Sequence, residues 1–206
     1  MRKAVIEEEN RRQMARQREF RIAADLIVEG WRQFTELVSI AITGSVAKPL
    51  WKEVPRFASF RARGIELWHE CGDLDLIVWI ESQHRLGELR RVRDLILREA
   101  YAAGRGISVV GHQVDTFLFE SETNRYAGRL CSFAQCPKGK RDCLTPGCGT
   151  VAFNKVIEGF SPDEELLGAA VILYRRDSGI VSRAIDLPES QDAREILVSC
   201  AVDRSI

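Results

Sequence analysis

The sequence predicts an α/β (α+β) protein built from alternating helices and strands, and three observations support this. Leu37–Thr43 is an apolar, β-branched run that stops at Gly44, as a buried strand does. Residues 83–103 repeat apolar residues every three or four positions, which is typical of a helix, and Gly104 ends the pattern. Helix-like and strand-like segments then alternate along the chain, which is the order expected of layered α/β architecture.

Other segments extend this pattern. Residues 2–35 predict a long charged helix whose apolar stripe lies near its end, so its first turns are expected to face solvent or a protein partner. A short helix is expected to begin at Ser45, a good N-cap residue. Residues 65–81 predict one strand or a hairpin broken at Gly72. Residues 107–120 predict a strand pair or a bulged strand.

The C-terminal part is expected to complete the core. It predicts a capped helical turn from Ser161, a strand over residues 170–174 and a closing helix over residues 187–202. The predicted organisation is an N-terminal helix and core over residues 1–120, a cysteine-rich insert over 121–160, and a C-terminal strand and helix over 161–206.

Composition excludes several classes of protein. The chain has 206 residues, of which 45% are hydrophobic and 29% charged, so it is neither collagen-like, nor disordered, nor a disulfide mini-protein. No apolar run approaches the roughly 20 residues of a membrane span. The N-terminus lacks the apolar stretch of a signal peptide, so a cytoplasmic location is expected. Equal numbers of basic and acidic residues argue against a generic nucleic-acid coat protein.

One segment is nevertheless strongly basic. Between residues 48 and 63 the chain has five basic residues and one acidic residue. The basic residues are Lys48, Lys52, Arg56, Arg61 and Arg63. The segment is either a solvated surface loop or a lid or acceptor-binding insertion that attracts an anionic ligand.

Asp73 and Asp75 form the first candidate site. Residues two apart in a strand share a face, so both carboxylates project together while Leu74 enters the opposite layer, as do Leu76 and Val78. Adjacent carboxylates repel each other unless a cation lies between them, and hard oxygen ligands suit Mg²⁺ or Mn²⁺. The alternative is a solvent-exposed strand start without a ligand.

Two further features belong with this pair. Asp115 lies inside an apolar strand, where a carboxylate is costly unless it binds a metal or pairs with an arginine. Gly44 and Ser45 stand between a strand and a helix, where glycine allows close approach of a ligand and the following amides suit a phosphate. A plain strand-to-helix turn is the alternative for these two residues.

Together these motifs resemble the DNA polymerase β-type nucleotidyltransferase superfamily. The resemblance covers residues 36–120 and is carried by "ITGSVA", "GDLDLIVWI" and "QVDTFLF". It implies a nucleotidyltransferase-like mixed sheet flanked by helices. One departure is the segment between Ser45 and Asp73, which is longer than the helix-length gap usual in the family and contains the basic stretch.

The resemblance also implies roles for individual residues. Asp73 and Asp75 match the metal-binding acids, and Asp115 matches the third acid, which completes a two-metal site and helps to activate the attacking hydroxyl. Gly44 and Ser45 match the turn that holds the nucleoside triphosphate, and Lys48 lies where members often carry a basic residue near the phosphates. The implied reaction is in-line attack of an acceptor on the α-phosphate, with pyrophosphate leaving. The acceptor is a small molecule, a tRNA or a protein.

Four cysteines predict a second metal site, which is structural. Their pattern is C-x₄-C-x₆-C-x₄-C, with proline and glycine residues that turn the chain between them. They are Cys131, Cys136, Cys143 and Cys148. Four thiolates at this spacing fit tetrahedral Zn²⁺ with no open position. Buried free thiols and disulfides are the alternatives.

Two other functions remain open from the sequence. The first is a non-catalytic protein with the nucleotidyltransferase fold, which acts as an antitoxin or a scaffold through its N-terminal helix and cysteine loop. The second is a zinc-containing RNA-binding module, because Lys138, Lys140 and Arg141 lie within the cysteine segment.

Overall fold

The described part of the chain is a mixed α/β structure. The computed structural model describes residues 2–135, 150–156, 159, 162 and 164–190. Its helices are α1 (Lys3–Trp31), α2 (Gly44–Ala47), α3 (Ala58–Arg61), α4 (Leu86–Ala102) and α5 (Glu164–Gly168). Its strands are β1 (Leu37–Thr43), β2 (Lys52–Glu53), β3 (Leu67–Trp68), β4 (Leu74–Ile80), β5 (Val114–Glu120), β6 (Tyr126–Leu130), β7 (Asn154–Lys155), β8 (Val171–Arg175) and β9 (Gly179–Ile180).

A mixed sheet organises these elements. Its seven strands in the described residues run in the order β7-β6-β5-β4-β1-β8-β9, and β2 and β3 form a separate two-stranded ribbon. Strands β4 and β5 are parallel, whereas β1 is antiparallel to both β4 and β8. The expected α/β class, with a mixed sheet flanked by helices, is therefore confirmed.

The main core lies between one face of the sheet and helices α1 and α4. Leu74, Leu76 and Val78 are fully buried in it, as the alternation in β4 predicts. The opposite face carries a smaller apolar cluster around Ala41 and Ile77, with Phe119 from β5. Asp75 and Asp115 alternate with the main-core residues, so both lie on this second face.

Helix α1 matches the predicted charged helix with a late apolar stripe. Its N-terminal turns are largely exposed, and its buried residues extend from Gln13 to Trp31. Within the described ranges, no helix combines the length and apolar character needed to cross a bilayer.

Three local predictions differ from the structure. The segment predicted as one strand or hairpin over residues 65–81 is divided between two sheets, because β3 pairs with β2 whereas β4 enters the main sheet. Only the second half of residues 107–120 is a strand, and a 3₁₀ turn over Gly111–Gln113 precedes it. Helix α2 begins at Gly44, one residue earlier than expected, and no side chain caps it.

The sheet also continues beyond the boundary expected at residue 120. Strand β6 adds to the edge of β5, and β7 pairs with β6, so the predicted insert contributes to the sheet. Cys131 directly follows β6, whereas Cys136, Cys143 and Cys148 lie outside the described residues, as does most of the predicted closing helix. The zinc site remains a prediction.

Candidate metal and nucleotide site

Three carboxylates converge at one edge of the sheet. Each of Asp73, Asp75 and Asp115 offers one carboxylate oxygen, and these oxygens lie within 4.8 Å of one another. The parallel pairing of β4 with β5 places Asp75 directly opposite Asp115, and Asp73 immediately precedes β4. The three acids predicted from separate parts of the chain therefore share one small volume, which has the oxygen donors that a hard divalent cation prefers.

Burial and mutual repulsion act on this cluster. Burial raises the pKa of Asp75 to about 7, and the charges of Asp73 and Asp115 add to that rise, while Arg129 opposes it. Burial also raises the pKa of Asp115, although its ion pair with Arg129 counteracts the shift. Without a cation, the cluster thus retains a proton near neutral pH, which a bound metal would displace.

Arg129 is the part of the site that the sequence analysis missed. It lies on β6 opposite Phe117, and its guanidinium donates to Oδ1 of Asp115. Of the two expectations for Asp115, the pair with an arginine is observed, whereas metal binding remains a prediction that its place in the acidic cluster allows. In the segment "YAGRL" a glycine is followed directly by an arginine, so the segment lacks the apolar alternation that would have indicated a strand.

Gly44 brings the backbone against the cluster. Its φ is +72°, a left-handed conformation that glycine adopts readily. Thr43, the preceding residue, pairs with Asp75 across β1 and β4. A β-carbon at position 44 would overlap Oδ2 of Asp75, so both the conformation and the space require glycine here.

We expect Gly44→Ala to disturb the acidic cluster rather than only the turn. Gly104→Ala is the matched control, because Gly104 has φ +66° but no atom within 4 Å of an added β-carbon. The left-handed strain costs each variant about 1–2 kcal/mol of unfolding free energy. Only Gly44→Ala should also weaken Mg²⁺ binding, by tenfold or more, in calorimetric titrations. Equal Mg²⁺ affinity in the two variants would contradict the contact with Asp75.

A buried histidine, His69, forms a hydrogen bond with the backbone of the turn that follows β1. The backbone N–H of Trp51 donates to Nδ1 of His69 at 3.3 Å, so Nε2 carries the proton and donates to the Ser45 carbonyl at 3.1 Å. The Trp51 and His69 rings stack with centroids 3.6 Å apart. Burial lowers the pKa of His69, which keeps the ring in this neutral form. His69 thus packs behind the site and supports the turn through Ser45.

The side chain of Ser45 is engaged in the same network. Burial raises the pKa of the Cys71 thiol to about 11, while the Ser45 side chain near it lowers that pKa. Cys71 is 2% exposed, and its sulfur lies 3.5 Å from Nε2 of His69. Cys71 and His69 therefore pack together next to the turn.

Two polar side chains of α1 fix the segment after the turn. Arg21 is only 1% exposed and donates to the carbonyls of Val46 and Lys48, and Gln17 also donates to the Lys48 carbonyl, at 2.9 Å. The Lys48 side chain itself is exposed. We refer to these hydrogen bonds from Arg21 and Gln17 as the clamp. The sequence signal for the clamp was a charged residue within the apolar stripe of α1.

A polar cavity of about 460 Å³ adjoins the same edge of the sheet. Arg12 and Arg16 line it from α1, and Glu70 and Gly72 line it from the segment that leads into Asp73. Asp73, Asp75 and Asp115 are not among its lining residues, so the cavity lies on the α1 side of the cluster and is not part of it.

No protein-family model, curated protein or solved structure matches the chain. The resemblance to nucleotidyltransferases therefore depends on the three sequence motifs.

Proposed function

We propose that the protein is a metal-dependent nucleotidyltransferase that transfers a nucleoside monophosphate from a nucleoside triphosphate to an acceptor. The observation that carries this proposal is the convergence of Asp73, Asp75 and Asp115 beside the left-handed Gly44 turn. The proposed compartment is the cytoplasm, where a free thiol such as that of Cys71 stays reduced.

The carboxylates fit Mg²⁺ or Mn²⁺. They present oxygen ligands only, and within the described residues Arg129 is the cation paired with them, so three carboxyl groups face one guanidinium. A bound divalent ion would neutralise charge on the triphosphate and orient it for in-line attack. Asp73, Asp75 and Asp115 are the residues proposed to hold it.

The proposed reaction is a substitution at the α-phosphorus. The acceptor oxygen forms a bond to the α-phosphorus, the bond to the oxygen that bridges the α- and β-phosphates breaks, and pyrophosphate leaves with that bridging oxygen. Asp115 is proposed to assist removal of the acceptor proton. Gly44 and Ser45 are proposed to approach the triphosphate through their backbone, with the exposed Lys48 ammonium near its phosphates.

The affinity for Mg²⁺ should depend on pH. Since the metal must displace the proton that the raised pKa of Asp75 retains near pH 7, binding should tighten as pH rises. We expect an increase of about tenfold in affinity between pH 6 and 8, measured by isothermal titration in a buffer without nucleotide. A constant affinity over this range would show that Asp75 is not protonated in the metal-free protein.

Transfer itself can be tested with labelled nucleotides. The protein is incubated with Mg²⁺, each α-³²P-labelled triphosphate in turn, and pools of RNA, aminoglycosides or proteins, and labelled products are identified by mass spectrometry. The proposal expects a nucleotide adduct with at least one pool and none with Asp73→Asn. Absence of both adduct and triphosphate binding in folded wild-type protein would refute it.

A further inference from the structure

The segment between the glycine turn and Asp73 carries a basic surface of which the proposed reaction uses only Lys48. We refer to residues 48–68 as the basic insertion. We propose that this insertion binds a single-stranded polynucleotide and presents it to the carboxylate cluster as the acceptor. This inference rests on the proposed function and names the acceptor class.

The basic residues of the insertion lack acidic partners. All five are exposed, and within the described part of the chain none forms an ion pair. On α1, by contrast, Arg11 pairs with Glu8, and Arg16 pairs with Glu19. The insertion has only two acids, Glu53 and Glu66, so its positive charge is not neutralised locally. An anionic partner would complement it.

The insertion is anchored next to the site at both ends. It leaves the sheet through the Gly44 turn, and it returns through β3, whose Trp68 is five residues before Asp73. Five residues span at most about 18 Å, so the Trp68 end of the insertion lies within about 18 Å of Asp73. The His69 amide donates to the Trp51 carbonyl at 2.9 Å, which ties the two ends together.

Aromatic side chains favour a polynucleotide over an acidic protein. Phe57 is 46% exposed and packs edge-on to Phe60, with ring centroids 6.4 Å apart. Lys52 lies over the Trp68 ring, with its ammonium 4.3 Å from the centroid. Exposed rings among unpaired basic residues match how proteins bind single strands, since bases stack on rings while cations contact the phosphates.

The transfer step on such an acceptor balances without another reactant. A hydroxyl oxygen of the polynucleotide bonds to the α-phosphorus of the triphosphate, and pyrophosphate leaves with the bridging oxygen. The hydroxyl proton passes to the carboxylate cluster or to water. The product is the polynucleotide extended or capped by one nucleotide.

The test measures binding without chemistry. Fluorescence anisotropy with a 20-nucleotide labelled RNA, and with DNA of the same sequence, is recorded without Mg²⁺ or triphosphate. The test variant combines Arg56→Gln, Arg61→Gln and Arg63→Gln. The control variant combines Arg91→Gln, Arg98→Gln and Arg105→Gln, which are exposed arginines that also lack an ion pair among the described residues, so the net charge of the two variants is equal.

We expect the test variant to bind at least one of the two strands tenfold or more weakly, while the control variant matches wild type. The slope of log affinity against log salt should fall by about 2, because each phosphate contact on a single strand contributes about 0.7. The RNA and DNA arms show which sugar is preferred.

Three outcomes would overturn the inference: neither oligonucleotide binds, both variants lose affinity equally, or poly-glutamate binds as tightly as RNA. Nucleotide transfer to a small acceptor without oligonucleotide binding would refute this inference alone and leave the proposed function intact. Oligonucleotide binding without any transfer would refute the proposed function and leave only the polynucleotide-binding part of this inference.

Discussion

Asp75→Asn should stabilise the metal-free protein at pH 8 while abolishing nucleotide transfer. At that pH the Asp75 carboxylate is ionised, although burial and its acidic neighbours raise its pKa to about 7. The charged carboxylate has a higher free energy in the folded state than in the unfolded chain, so it lowers the free energy of unfolding. Removing it should raise the unfolding free energy by about 1–3 kcal/mol. Transfer should fall about 1000-fold or more, because a metal ligand is lost.

The stabilisation should depend on pH in a defined direction. Because the folded pKa lies above the unfolded value, wild type loses stability as pH rises from about 4 to 7. The variant and wild type should therefore have similar Tm values near pH 4 and diverge above it, in thermal unfolding with EDTA. Added Mg²⁺ should raise the Tm of wild type only.

A matched control separates this effect from general charge removal. Asp177 is exposed, and its hydrogen bond with Ser178 lowers its pKa, so Asp177→Asn should not stabilise the protein. If Asp75→Asn were less stable than wild type at pH 8 without metal, the repulsion among the three carboxylates would be refuted. If it retained transfer, the catalytic proposal would fail independently.

The second large effect should come from Arg21, whose guanidinium is buried without a carboxylate partner among the described residues. It donates to the carbonyls of Val46 and Lys48, and also to those of Leu187 and Pro188. Arg21→Met would fill similar space but leave these buried acceptors without their donor. We expect the unfolding free energy in urea to fall by about 3–5 kcal/mol, because each orphaned acceptor costs about 1–3 kcal/mol.

Arg18→Met is the control for this prediction. Arg18 lies on the same helix, but its side chain is 61% exposed and pairs with Glu189 on the surface. Its loss should cost about 1 kcal/mol or less. Equal stability losses in the two variants would show that the clamp on residues 46–48 contributes little. If the proposed function holds, Arg21→Lys should also raise the KM for the triphosphate more than it lowers kcat, since the clamp acts through the turn.

Local patterns were sufficient for the elements with strong periodicity. The predicted strand over Leu37–Thr43 matches β1, and the helix predicted over residues 83–103 contains α4. Both carry an uninterrupted apolar pattern that one backbone conformation satisfies. The two-residue strands β2 and β3 are too short to carry such a pattern. Their pairing is accompanied by contacts between residues far apart in the sequence, such as the hydrogen bond of Trp51 with His69, and local patterns do not reveal these contacts.

The sequence by itself determined that Asp73 and Asp75 flank a buried leucine at the start of an apolar strand, because side-chain alternation is a local property of extended backbone. Only the tertiary structure decided that Asp115 lies next to these two acids and that Arg129 forms an ion pair with Asp115. The same is true of the hydrogen bonds from Arg21 to the segment that follows the Gly44 turn. These relations depend on strand register and helix packing between residues far apart in the chain, and local sequence preferences do not specify them.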